Sequence, residues 1–386
     1  MTLSTTVVPT TAVPKTVAVD TDLDEQAHPG HGIPSQDPNP GAQTALNPVE
    51  AERESKSVLV GGGAMAGVAA GAGIGAVVAG PVGVLVGGTL GAVAGALGGA
   101  AAGTMANADE PGSTQAAPQA SVHLHIEDSG GSGRPVVLIH GWPLSAQAWA
   151  PQVSALRAAG HRVVVYDRRG FGQSDKPASG YGYDTLADDL QRVMERCELQ
   201  DVTLVGFSMG GGEVARYVAR CGESRLHSVV FAAAVTPYLL KTADNPEGLL
   251  TPDKAQQKRA ALEGDRSAYF DQFSRDFFSA NGALQVSEAQ RSQAVALCHQ
   301  SAQHAALTCM DSFGSTDFRN DLKQVTVPTL VIHGEADAIV PFEGSGLRTH
   351  RAVRNSKLVI VNGAPHGMNV SHAQMFNEAL LSFLQA

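Results

Sequence analysis

"LVGFSMGGGEVARYVAR", residues 204–220, decides how the whole chain is read. An apolar run suited to a buried strand ends at Phe207, Ser208 follows, and the next residues take a helical period. Gly206 and Gly210 stand two before and two after that serine, the spacing G-x-S-x-G. Small residues at both places let a tight, strained turn close without side-chain collisions, which lifts the hydroxyl above the edge of a sheet. The strand-turn-helix context therefore predicts that Ser208 is a nucleophile rather than an ordinary turn serine.

A serine hydroxyl attacks only when a base removes its proton, and the base must be held in the right tautomer by a third group. His366 in "NGAPHGMN" is the candidate base, since it follows the last strand-like run in a Gly/Pro loop. His28 and His31 lie in a polar N-terminal arm, while His140 and His333 end strands before glycine, positions that support loops. For the third member "TLVIHGEADAIVP" offers Glu335 and Asp337. Asp337 is preferred because it stands farther out along the loop, where its carboxylate can turn toward His366; Glu335 belongs to the turn itself. Developing negative charge on the substrate oxygen needs backbone donors, each worth about 3 kcal/mol. Met209, at the start of the helix after the serine, supplies one, and Trp142, in the loop after "PVVLIHG", supplies the other.

Strand-like runs at "VHLHIED", "PVVLIH", "RVVVYD", "VTLVGF", "SVVFAAA", "PTLVIH" and "KLVIVN" alternate with amphipathic helices. In "DTLADDLQRVMERC", for example, Leu186, Leu190, Val193, Met194 and Cys197 share one face. Continuous Val/Leu/Ile strands joined by helices imply an α/β fold with a mostly parallel sheet covered on both faces. Residues 236–322 read as helices without a strand, a cap laid over the active edge of the sheet. Arg168 and Arg169 in "YDRRGFGQSD" leave a strand and are expected to tie that loop to acidic neighbours.

The catalytic part begins near residue 120. Before it, residues 1–56 are rich in Thr, Pro and acidic side chains and read as a disordered arm with no basic segment of a secretory signal. Residues 57–108 carry no charge, and glycine recurs every fourth position from Gly63 to Gly75 and from Gly83 to Gly103. Such a glycine zipper keeps one helical ridge bare, so another backbone can approach closely. "GPVG" splits it into two pieces, each long enough to cross about 30 Å of hydrocarbon, which predicts a helical hairpin in a membrane or in self-association. Against this stand the helix cost of glycine, about 1 kcal/mol each, and the alternative of a flexible low-complexity arm. Residues 109–119 are a linker. The expected location is a membrane-associated chain with its catalytic part in the cytoplasm or, without insertion, a soluble cytoplasmic protein.

A net charge of −10, from 37 acidic and 27 basic residues, offers no field for nucleic acid. Cys197, Cys221, Cys298 and Cys309 form no C-x-x-C pair and read as reduced thiols, mostly buried. The tight His/Cys groups, His123 with His125 and Cys298, His299 with His304, are explained by strand alternation or a helix face, so no metal is expected.

"HGWPLSAQAW", "YDRRGFGQSDKP", "YDTLADDL", "LVGFSMGGGEVARYVAR", "TVPTLVIHGEADAIVPFE" and "GAPHGMNVSHAQ" together resemble the cofactor-free bacterial haloperoxidase branch of the α/β-hydrolases, also called perhydrolases or non-haem chloroperoxidases. The order Ser208, Asp337, His366 is also that of the α/β-hydrolases. The resemblance runs from about His123 to the end of the chain and leaves the first 120 residues outside the family's pattern. It implies an esterase triad that also exchanges a small carboxylic acid or ester with hydrogen peroxide, and the peracid released then oxidises halide in solution. It implies no haem, metal or flavin, a Ser208, Asp337 and His366 triad, and Trp142 and Met209 as oxyanion donors. A proline at position 143 looks in this family like a mark of the peroxide-using members, placing the acceptor through the Trp142 carbonyl. Two other readings stand beside it: a membrane-bound or self-assembling zipper scaffold with an auxiliary hydrolase domain, and a carbon-carbon bond hydrolase on the same fold. Homo-oligomers are compatible with each.

Overall fold

A computed structural model of the chain describes residues 122–385, so the arm, the zipper and the linker lie outside the described residues. Strands β1 (Ile126–Asp128), β2 (Pro135–Ile139), β3 (Arg162–Tyr166), β4 (Val202–Phe207) and β5 (Leu226–Ala232) follow one another, with α1 (Ala150–Ala158), α2 (Tyr183–Arg196) and α3 (Met209–Cys221) as crossovers. The chain then leaves the sheet for the helices α4 (Pro252–Gly264) and α5 (Arg266–Phe278), the hairpin β6 (Ser279–Ala280) and β7 (Ala283–Leu284), and α6 (Glu288–His299), α7 (Gln303–Ser315) and α8 (Arg319–Leu322). It returns as β8 (Thr329–Gly334) and β9 (Ser356–Val361), separated by α9 (Gly346–Ala352), and ends in α10 (Met368–Ser371) and α11 (Ala373–Leu384).

The sheet has seven strands in the order β1-β3-β2-β4-β5-β8-β9, parallel except for the edge strand β1. Val136, Val137, Leu138 and Ile139 are buried, as is every residue of β4 and β8, because helices cover both faces. From β2 the chain steps to β3 on one side, then crosses back to β4 on the other. Right-handed crossovers in opposite directions put α1 and α2 on opposite faces. They also open a crevice at the C-terminal ends of β2 and β4, where ligands bind in such sheets. Ile139 pairs with Gly206 there, so the loops after these two strands, carrying Trp142 and Ser208, emerge side by side.

Two boundaries differ from the sequence reading. "VHLHIED" forms a strand only over its last three residues, because the backbones of His123 and His125 are taken by Asp175 and Ser174 of the loop after β3. The cap is not strand-free: Asn281 (φ 51°) and Gly282 (φ 79°) reverse the chain and close the small β6-β7 hairpin. Its helices have strong starts. Asp265 ends α4 and accepts from the Ala268 amide at 2.9 Å to begin α5, and Ser287 and Gln290 form a reciprocal capping box on α6. The face of α2 read from sequence is buried at Leu186, Leu190, Val193 and Met194, while Cys197 falls one residue past the helix and is half-buried. Among the described residues no helix is long and apolar enough to cross a membrane.

Candidate active site

Ser208 occupies the turn between β4 and α3 at φ 55° and ψ −117°, a backbone strained for any residue with a side chain. The glycines around it are dictated by contact. A Cβ on Gly206 would lie 2.4 Å from the Gly210 carbonyl oxygen, and one on Gly210 would lie 2.5 Å from that of Ile139. Only bare backbone lets the helix start so close to the neighbouring strand, and the amide of Met209, first in α3, has no partner inside that helix. Gly141 is equally close: a Cβ there would lie 3.1 Å from that of Ser208, so the loop bearing Trp142 runs beside the serine. The Trp142-Pro143 peptide bond is cis.

The Ser208 hydroxyl donates to His366 Nε2 at 3.0 Å, and His366 Nδ1 donates to Asp337 Oδ2 at 2.6 Å. The other oxygen of Asp337 accepts from the amides of Ile339 and Val340 at 3.0 and 2.8 Å. Burial raises the Asp337 pKa, yet the charge of His366 and hydrogen bonds from His333 and His366 outweigh it and hold the carboxyl well below the usual carboxylate range. His333, fully buried, lies with Nε2 3.2 Å from Asp337 Oδ2 and 2.8 Å from the Val340 carbonyl. Glu335 points elsewhere and accepts from the Gly363 amide at 2.8 Å, fastening the Asp337 loop to the loop that carries His366. The cap covers that loop too, since the Gly367 amide donates to the Phe277 carbonyl at 2.8 Å.

Beneath the Trp142 loop lies a buried network. His140 Nδ1 donates to the Gly141 carbonyl at 2.9 Å, and its Nε2 accepts from the Arg168 amide at 3.0 Å. Burial, then the charge of Arg168, push its pKa well below the ordinary value, so the ring is neutral. Arg168 donates to the His140 carbonyl at 2.6 Å and pairs with Glu213 on α3, which also accepts from Tyr166 at 2.8 Å. Arg169 pairs with Asp189 at 2.5 Å, so both arginines tie their loop to acidic neighbours.

Ser208, His366 and Trp142 line a cavity of about 590 Å³. Tyr269 and Phe273 of α5, Phe313 of α7, Leu239, Leu250 and Ile339 make its walls apolar, and Lys254 and Lys258 of α4 line it as well. The Trp142 ring meets Tyr269, Phe270, Phe273 and Phe313 edge-on, with centroids 5.3 to 6.2 Å apart, and its Nε1 donates to the Ala306 carbonyl at 2.9 Å. The sequence reading missed these cap aromatics. The signal was present in "YFDQFSRDFF", where Tyr269, Phe273 and Phe277 recur every fourth residue. All four cysteines are free thiols, Cys298 and Cys309 buried and the other two half-buried. Among the described residues no three His, Cys, Asp or Glu side chains converge as metal ligands, and His304 donates instead to the Pro177 carbonyl at 2.8 Å.

The alpha/beta hydrolase fold family matches residues 134–373, which begin before β2 and end in α11. The chain belongs to that family. A non-heme chloroperoxidase of Kitasatospora aureofaciens is 40% identical over 258 residues, covering 66% of this chain and 93% of that one. A bifunctional esterase/perhydrolase of Acinetobacter calcoaceticus is 36% identical over 271 residues, 69% of this chain and 97% of the other. Among solved structures, a bromoperoxidase from Bacillus anthracis shares 50% identity and a TM-score of 0.68 over 69% of this chain and 97% of its own. The α/β-hydrolase described here is thus an enzyme with haloperoxidase and perhydrolase relatives.

Proposed function

We propose that this α/β-hydrolase acts on small esters and carboxylic acids through an acyl-enzyme on Ser208, with water and hydrogen peroxide as alternative acceptors. The observation that carries the reading is the unbroken run of hydrogen bonds from Ser208 through His366 to Asp337, with Ser208 and His366 in the lining of a largely apolar cavity. In the first half-reaction Ser208 Oγ bonds to the acyl carbon while His366 Nε2 takes its proton and then gives it to the departing alcohol or water. Asp337 holds the His366 Nδ1 proton and stabilises the imidazolium. The amides of Met209 and Trp142 donate to the oxyanion.

In the second half-reaction His366 removes a proton from the acceptor, whose oxygen bonds to the acyl carbon; the acyl-Ser208 bond then breaks and His366 returns that proton to Ser208 Oγ. Water yields a carboxylic acid; peroxide yields a peracid, which transfers one oxygen to halide in solution and reverts to the acid. Pro143 restricts the residue before it, so the Trp142 carbonyl takes one fixed direction and can accept a hydrogen bond from the outer oxygen of peroxide. The names of the chloroperoxidase and esterase/perhydrolase relatives support this acceptor. A fluorophosphonate probe should label wild type at Ser208, and Ser208→Ala should lose labelling, ester hydrolysis and bromination together, by about a millionfold or to background. Bromination that survives Ser208→Ala overturns the acyl-enzyme route.

A further inference from the structure

The cavity has a mixed lining. Ser208 and His366 come from the turns at the strand ends, Leu, Val, Ile, Phe and Met side chains make most of the rest apolar, and the exposed Lys254 and Lys258 of α4 contribute the cationic groups. Four residues apart on one helix, the two lysines share a face. The carboxylate of the lining, Asp311, is already paired with Arg259, which also pairs with Glu263 at 2.9 Å. Among the described residues neither lysine has an ion-pair partner of its own. Lys254 also sits in the first turn of α4, where the helix dipole disfavours a cation by about 0.3–1 kcal/mol, and Asp253 is the acid in that turn. Two lysines without carboxylate partners in the lining of a largely apolar space suit an anion brought in by the ligand.

We propose that the acyl group this enzyme takes has an apolar body and a distal carboxylate, held by Lys254 and Lys258 while the reacting carbonyl lies at Ser208. The inference rests on Ser208 being the acylated residue. A flexible ammonium recognises a carboxylate as a point charge, so the contribution is electrostatic and screened by salt.

The test compares two esters on the full chain: the 4-nitrophenyl half-ester of suberate, anionic at its far end, and the 4-nitrophenyl ester of suberic acid monoamide, its neutral counterpart. Wild type should favour the anionic ester about tenfold in kcat/KM, mostly through KM, a difference of about 1.4 kcal/mol. The combined Lys254→Gln and Lys258→Gln variant should lose that preference with the neutral ester little changed, and the corresponding arginine variant should keep it. Molar salt should erase it in wild type. No preference in wild type, or an unchanged preference in the glutamine variant, overturns the anionic subsite while turnover of both esters leaves the Ser208 reading intact. If neither ester acylates Ser208, both readings fall.

Discussion

The floor and the roof of the cavity are built by different rules. The floor consists of turns at strand ends, where Gly206 and Gly210 are imposed by close backbone, Gly141 by the Phe207 ring and the Ser208 Cβ, and hydrogen bonds join Ser208, His366 and Asp337. The roof consists of helices whose aromatic and aliphatic side chains touch one another, and hydrophobic contact tolerates exchange among residues of similar volume. Changes in the floor should therefore abolish turnover, whereas changes in the roof should alter which acyl groups enter.

Below the loss expected for Ser208→Ala, the sharpest probe of the floor is Asp337→Asn, which should cost about 10⁴ in kcat by favouring the wrong imidazole tautomer. Glu335→Gln keeps an oxygen to accept from Gly363 and should cost less than about tenfold; a reversed order of the two variants would move the third member of the site. The depressed pKa of Asp337 adds a signature in pH. Its folded value lies below the ordinary 3.8, so its ionised form stabilises the fold fully above that pH and less as pH falls toward the folded value. In urea titrations, wild-type stability relative to Asp337→Asn should be flat above about pH 5 and decline only in stronger acid.

Pro143→Leu lies where floor meets roof and should keep ester hydrolysis within a few-fold while lowering peracid formation about tenfold, roughly 1.4 kcal/mol. Rates measured on one acetyl-enzyme with and without peroxide check this, and equal loss of both would make Pro143 a loop-shaping residue. In the roof, Phe273→Ala removes a ring whose centroid lies 5.3 Å from that of Trp142 and should raise KM for apolar acyl esters about threefold to tenfold, with kcat little affected. A drop in kcat as large as that of Asp337→Asn would erase the distinction between the two regions. The smallest effect belongs to the N-terminal segment. A chain beginning at Ala120 should be soluble and match the full chain per catalytic unit, whereas Gly91→Leu with Gly95→Leu should disrupt association through residues 57–108 in sedimentation or fractionation.

The sequence alone determined the alternation of strands and helices, the strand-turn-helix around Ser208, and the preference for Asp337 over Glu335. These are local matters, set by side-chain period and by the few conformations a glycine-flanked turn permits. It misjudged the cap as strand-free because the β6-β7 hairpin is two residues wide and falls below any pattern. His140 and His333 were legible as loop supports, but not the partner that fixes His140, since Arg168 lies 28 residues away on the next strand's loop. The strand order β3-β2-β4 decided that Trp142 and Ser208 emerge side by side, and the fold of the cap decided that aromatics and two lysines share one cavity with them. Neither is written in any local stretch, because contacts between distant segments are chosen by the burial of whole faces rather than by the conformation of any one turn.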